Sequence, residues 1–256
     1  MILTDTHSHL YADEFDEDID IVINNCLEKG IERLFLPNID SSSIQPMIDL
    51  VKKYPKHCFP MMGLHPTSVK DNYQEELKIV EEWLDKQQFC AIGEIGIDLY
   101  WDKSTLAIQQ DAFNTQINWA KERGLPFVIH CRDAFDEIFE LLDELNDEKM
   151  RGIFHCFTGT IEQAQHIIDY GDFKIGIGGV VTFKNAGLDK VVEQLDLKHL
   201  VLETDSPYLA PTPYRGKRNE STYLYNIAHK LAEIYSQPIE EIAAITTNNS
   251  IEVFGF

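Results

Sequence analysis

Eight short β-rich runs, each followed by a longer amphipathic stretch, recur along the chain, and this alternation leaves few folds open. The runs are Ile2–Thr6, Arg33–Pro37, Phe59–Gly63, Ala91–Ile95, Pro126–His130, Gly152–His155, Phe173–Ile177 and Leu200–Thr204. Their spacing of about 20 to 35 residues suits one βα unit each, since a parallel crossover needs a dozen or more residues. Helical spacing of apolar residues marks the intervals. Between Asp16 and Lys29, Ile19, Val22, Ile23, Cys26 and Leu27 share a face, and Gly30 stops the helix. Ile108–Arg123, Ala134–Leu145, Ile161–Tyr170 and Leu188–Leu195 read the same way. A Pro-rich loop, Pro207–Pro213, follows the last run, and two or three more helices are expected between Ser221 and Phe254.

Eight such units predict an α/β fold, a single (β/α)8 TIM barrel with extra C-terminal helices. The chain has 256 residues, close to the usual size of such a barrel, so residues 1–256 are expected to form one domain. The first strand runs into His7-Ser8-His9 and carries no GxGxxG, so a dinucleotide or other organic cofactor is not expected.

Charge limits the partners. Acids outnumber bases 43 to 22, a formal net charge of −21, and such a field repels polyanions at long range. A protein that wraps DNA in basic surface is excluded on this ground; a polyanionic substrate needs metal ions or local bases at its site. No apolar run is long enough to span a membrane, and MILTDTHSHLYADEF lacks the features of a secretory signal. The five cysteines, Cys26, Cys58, Cys90, Cys131 and Cys156, are odd in number and form no CxxC pair. Reduced thiols and a cytoplasmic location are the expectation, with the chain a monomer or weak oligomer.

In a TIM barrel the reactive groups sit at the C-terminal ends of the strands. Here those ends carry His7 and His9, His65, Glu94 with Asp98 beyond it, His130, His155 and Asp205. His7 and His9 are two apart, so an extended backbone turns both to one side. Singly, each histidine could be a strand-end residue bonded to backbone, and Asp205 could cap a turn. Jointly they are too many polar groups to bury without a cation. Nitrogen and oxygen donors suit Zn²⁺, Mn²⁺, Fe²⁺ or Ni²⁺ better than Mg²⁺ or Ca²⁺, although Mg²⁺ stays among the candidates. The donors also exceed one four-coordinate ion, so two divalent cations are expected, with Glu94 as the natural bridge.

The segments TDTHSHL, GLHP, AIGEIGIDLYWDKS, FVIHCRDA, GIFHCFTG, GIGGVVTFKNA, LVLETDSPYLAP and PYRGKRNE run in order from residue 4 to residue 220. In them the chain resembles the TatD family of metal-dependent deoxyribonucleases, within the amidohydrolase-like barrels. The resemblance implies that His7, His9, Glu94 and Asp205 hold one metal, and that Glu94, His130 and His155 hold the second. Ser221 departs from the proline common after Asn-Glu in the family, away from the ligands.

Both readings point to metal-assisted hydrolysis, and the resemblance implies that the bonds cleaved are DNA phosphodiesters. Glu94 and Asp205 are the expected catalytic residues, with Asp205 the proton acceptor. Candidate substrate contacts are His65, Arg132, Lys184 and Arg215, with Lys217 and Arg218 beside the last and Tyr100, Trp101 and Tyr214 able to stack on a base. Three alternatives remain. Barrel hydrolases of amides, lactones or phosphotriesters often bridge their metals with a carboxylated lysine, and the strand-four run has Glu94 and no lysine. Removal of a D-amino acid from tRNA would use the same ligands. A non-catalytic metal-binding scaffold would need no such complete set.

Overall fold

The protein is described by a computed structural model covering residues 1–255. Every expected strand forms: β1 (Leu3–Asp5), β2 (Ile31–Pro37), β3 (Cys58–Met62), β4 (Ala91–Asp98), β5 (Phe127–Arg132), β6 (Gly152–Phe154), β7 (Phe173–Ile177) and β8 (Leu200–Leu202). They pair in parallel, each with the next in sequence, from β1 to β8. Just beyond the strands, the ring closes through backbone bonds: Thr6 N–H donates to Leu202 O at 3.0 Å, Asp205 N–H to His7 O at 2.9 Å, and His9 N–H to Ser206 O at 2.7 Å. The result is an eight-stranded parallel barrel with helices between the strands, the TIM-barrel architecture.

The outer ring comprises α1 (Ile19–Glu28), α2 (Ser41–Lys53), α3 (Tyr73–Lys86), α4 (Leu106–Arg123), α5 (Phe135–Leu145), α6 (Ile161–Asp169) and α7 (Leu188–Val192). Each presents its apolar stripe to the sheet; in α1 that stripe is Val22, Ile23 and Cys26. α7 stops three residues short of the expected Leu195. After β8 and its proline-rich loop come α8 (Leu224–Tyr235) and α9 (Ile239–Phe254). Among the described residues, no helix is long and apolar enough to cross a membrane.

Two apolar cores result. The larger lies between sheet and helices. The smaller, inside the barrel, joins Phe35, Met61, Ala91, Val128, Ile153 and Val201 with Val253 and Phe254 at the end of α9. Strand alternation then determines what stands above that inner layer. Two residues on from Val128 is His130, two on from Ile153 is His155, and two and four on from Val201 are Glu203 and Asp205.

β4 does not follow a single alternation. Its pairing with β5 shifts between Ile92 and Ile95. Ala91 belongs to the inner core, yet Ile92, Ile95 and Ile97 belong to the outer one. The shift changes the inward-facing positions from odd to even, which turns Glu94 and Asp98 into the barrel mouth.

Candidate metal centre

Glu94 is the hub of the mouth, and its two oxygens serve different histidines. Oε2 lies 3.0 Å from His7 Nε2 and 3.6 Å from His9 Nε2. Oε1 lies 2.8 Å from His130 Nδ1, 3.3 Å from His65 Nε2 and 3.7 Å from His155 Nε2. Asp205 Oδ1 stands between the two sets, 3.6 Å from His9 Nε2, 3.7 Å from His155 Nε2 and 3.9 Å from His7 Nε2. The six residues singled out as ligands therefore converge, with His65 beside them.

Hydrogen bonds behind the rings determine which nitrogen faces inward. The Tyr11 hydroxyl donates its one hydrogen to Pro37 O at 2.5 Å, so at 2.9 Å from His9 Nδ1 it must accept. That leaves the His9 Nε2 lone pair free for the centre. His65 is arranged the other way. Its Nδ1 accepts the Thr67 backbone N–H at 3.1 Å, so the ring proton sits on Nε2, pointing inward. His65 is thus a donor towards the cavity, as suits a substrate contact rather than a ligand. His130 Nε2 contacts Asp98 Oδ2 at 2.9 Å, and His155 Nδ1 lies 2.9 Å from Glu203 Oε1.

The crowding shows in the ionisation of the group. Burial, with the His155 ring beside it, holds His7 well below the ordinary histidine range, and burial takes His9 down to about 4. Burial also opposes ionisation of Glu94, but His65, His7 and His155 outweigh it and keep the carboxyl well below its usual range. Burial pushes Asp205 up to about 7, with Glu94 and Glu203 adding to the rise against His155. His155 lies at about 10: burial opposes its charge, and Glu203, Glu94 and Asp205 overcome that. Burial opposes the charge on His130 too, yet its bonds to Asp98 and Glu94 raise it. Such a set of buried carboxylates and imidazole lone pairs fits divalent cations, whose charge would relieve the Asp205–Glu94–Glu203 repulsion. Among the described residues, four clusters have ligand spacing: His7–His9–Glu94, His7–His155–Glu203, His155–Cys156–Asp205 and His65–Glu94–His130, the last including the inward-facing N–H of His65.

The centre opens into a cavity of about 540 Å³ lined by His65, Thr67, Trp101, Arg132, Tyr208 and Leu209 among others. Arg132 pairs with neither neighbouring aspartate; its guanidinium lies over the Tyr100 ring at 3.7 Å and near Trp101 at 5.6 Å. Tyr100 and Trp101 are themselves largely exposed. Lys184 and Arg215 are exposed and outside the cavity lining, Arg215 lying over Phe183 at 4.0 Å. Arg218 is engaged elsewhere, bidentate with Asp18 at 2.8 and 2.7 Å. Tyr214 stacks on Tyr223 at 4.1 Å.

Sequence reasoning did not single out Tyr11, Asp98 or Glu203 as partners of the histidines. Period-two spacing held the signal: Tyr11 stands two after His9, and Glu203 two before Asp205.

Known proteins match the chain over nearly its whole length. The model of the TatD related DNase family matches residues 4–255. The chain is 39% identical over 254 residues, 99% of both chains, to YabD of Bacillus subtilis (strain 168), named an uncharacterized metal-dependent hydrolase. It is 31% identical over 252 residues, 96% of both chains, to a Salmonella typhimurium protein named 3'-5' ssDNA/RNA exonuclease TatD. Among solved structures, the TatD homologue YjjV from Escherichia coli K12 superposes with a TM-score of 0.93 at 26% identity, covering 99% of this chain and 98% of that one. With the family match spanning nearly the whole chain and the fold shared, the chain belongs to the TatD-related DNase family of metal-dependent hydrolases.

Proposed function

We propose that the protein hydrolyses phosphodiester bonds of DNA with two divalent cations, one held by His7, His9, Glu94 and Asp205 and the other by Glu94, His130 and His155. The observation that carries the reading is Glu94. Its Oε2 faces one histidine pair and its Oε1 faces the other, as a bridging carboxylate requires. Bound as a pair, such ions supply Lewis acidity towards phosphoryl oxygens and bring the pKa of a water towards neutrality.

The residues of the chain do the rest. Asp205 directs Oδ1 at the centre and keeps Oδ2 to take up the proton of the attacking water. His65 donates from Nε2 to a phosphate oxygen. Arg132, held flat by Tyr100, is the guanidinium placed to grip the phosphate within the cavity, which matters in a chain whose net charge of −21 repels DNA. Tyr100 and Trp101 offer exposed ring faces to an unstacked base. Lys184 and Arg215 are candidates for phosphates further along a strand. Cys26 and Cys58, buried thiols in the core, support a cytoplasmic location.

The test compares labelled single-stranded DNA, RNA and D-aminoacyl-tRNA with metal-reconstituted protein. DNA cleavage that a chelator abolishes and added metal restores is the expected result. Deacylation outpacing any phosphodiester cleavage would overturn it in favour of the tRNA reading.

A further inference from the structure

The four imidazoles offered to the two metal positions are backed unequally. Behind His9 is a neutral hydroxyl, that of Tyr11. His7 has no hydrogen bond behind it: its Nδ1 is buried without a partner. Behind His130 and His155 are carboxylates, Asp98 at 2.9 Å and Glu203 at 2.9 Å. The close contacts of these carboxylates, at 2.9 Å, are thus with the histidines of the second position, although a Glu203 oxygen also lies within 4.8 Å of a His7 nitrogen. They also act on opposite ring atoms. Asp98 hydrogen-bonds Nε2 of His130 and leaves Nδ1 inward, whereas Glu203 lies 2.9 Å from Nδ1 of His155, a charge contact without hydrogen-bond geometry, and leaves Nε2 inward.

Glu203 is costly to keep. It is fully buried, and its Oε2 has no partner. Its Oε1 also accepts the Cys156 N–H at 2.5 Å. The space for it comes from Gly176 on β7, where a Cβ would overlap Oε2. An unpaired buried carboxylate oxygen opposes folding, so packing alone does not explain the residue. A negative charge beside an imidazole N–H fixes the tautomer and makes the opposite nitrogen a stronger donor.

We propose that Asp98 and Glu203 are positioning residues that set the affinity of the second metal position alone, so that a position with only three protein ligands fills alongside one with four. The inference rests on the two-cation reading above. In one arm, metal-free wild-type, Asp98→Asn and Glu203→Gln proteins are dialysed against graded free Mn²⁺ and bound metal per chain is counted, with circular dichroism and thermal unfolding of the metal-free forms checking the fold. Wild type should bind two ions. Each variant should bind the first as wild type does and the second about 10- to 100-fold more weakly, the usual effect of removing such a partner. Its kcat should recover towards wild type as Mn²⁺ saturates. Tyr11→Phe should weaken the other ion instead. Variants that hold both ions as tightly as wild type, or that lose both together, overturn this inference and leave the two-cation reading standing. A wild-type protein that binds fewer than two ions overturns both.

Discussion

Asp205 and Glu94 differ in what they can lose. Asp205→Asn keeps the size and one oxygen but removes the charge and the proposed proton acceptor. The rate should fall by at least the roughly 10²- to 10⁴-fold typical of a lost general base, and excess metal should not restore it. Glu94→Gln weakens both histidine sets together, because each of its oxygens serves one. It should lower bound metal as well as rate, with partial rescue by excess metal. Metal stoichiometry and phosphodiesterase rate, followed through one titration, separate the two; near-normal activity in Asp205→Asn would reduce Asp205 to a ligand at most. Arg132 poses a binding question instead. It lines the cavity but touches none of the metal-facing atoms. Arg132→Ala should raise KM for DNA about tenfold, the loss expected for one charge-assisted hydrogen bond, at unchanged metal content. A wild-type KM would place the phosphate elsewhere.

Among the elements, the loop after β8 shapes one side of the mouth, through Tyr208 and Leu209. It is tied down at both ends. Asn219 Nδ2 donates to Thr204 O at 2.7 Å and to Tyr208 O at 2.6 Å, and Arg218 reaches back to Asp18 ahead of α1. The Arg218 hydrogen bonds hold the Asp18 carboxyl below its usual range. A depressed carboxyl contributes stability above its unfolded pKa of about 4, and the contribution is lost as pH falls through the folded value. With both partners about a third exposed, it is worth about 1 kcal/mol or less. Urea unfolding of Asp18→Asn against wild type should show a difference of that size at pH 7, shrinking towards zero below about pH 4. A difference that persists unchanged into acid would mean that Asp18 acts by packing and not by charge.

At the scale of the whole molecule, the candidate metal centre and the barrel closure are the same place. His7 O accepts the Asp205 N–H, and Asp5 accepts both the Thr204 N–H at 2.9 Å and the Thr204 hydroxyl at 2.6 Å. Cations bound there would join the first strand to the last. A ligand present at 100 times its Kd stabilises the folded state by about 2.7 kcal/mol. For a chain of this length that corresponds to roughly 5–10 °C in Tm per ion. Thermal unfolding before and after chelation measures it, and a Tm indifferent to chelator would show that the cluster binds no cation.

The order of eight βα units was legible in the sequence, because period-two runs and glycine-punctuated helical stretches are local properties of the chain. So was the convergence of the candidate donors, since alternation on a strand carries two residues such as His7 and His9 to one side. Tertiary structure decided what depends on neighbours. The register shift in β4 changes which residues face inward, and alternation from Ala91 alone would have turned Glu94 outward. Tyr11 and Thr67 act on histidines two residues away, but which ring nitrogen His130 and His155 present was set by Asp98 and Glu203, which come from other parts of the barrel. Hydrogen bonds between distant segments have no period in the sequence, so they emerge only once the barrel has closed around them.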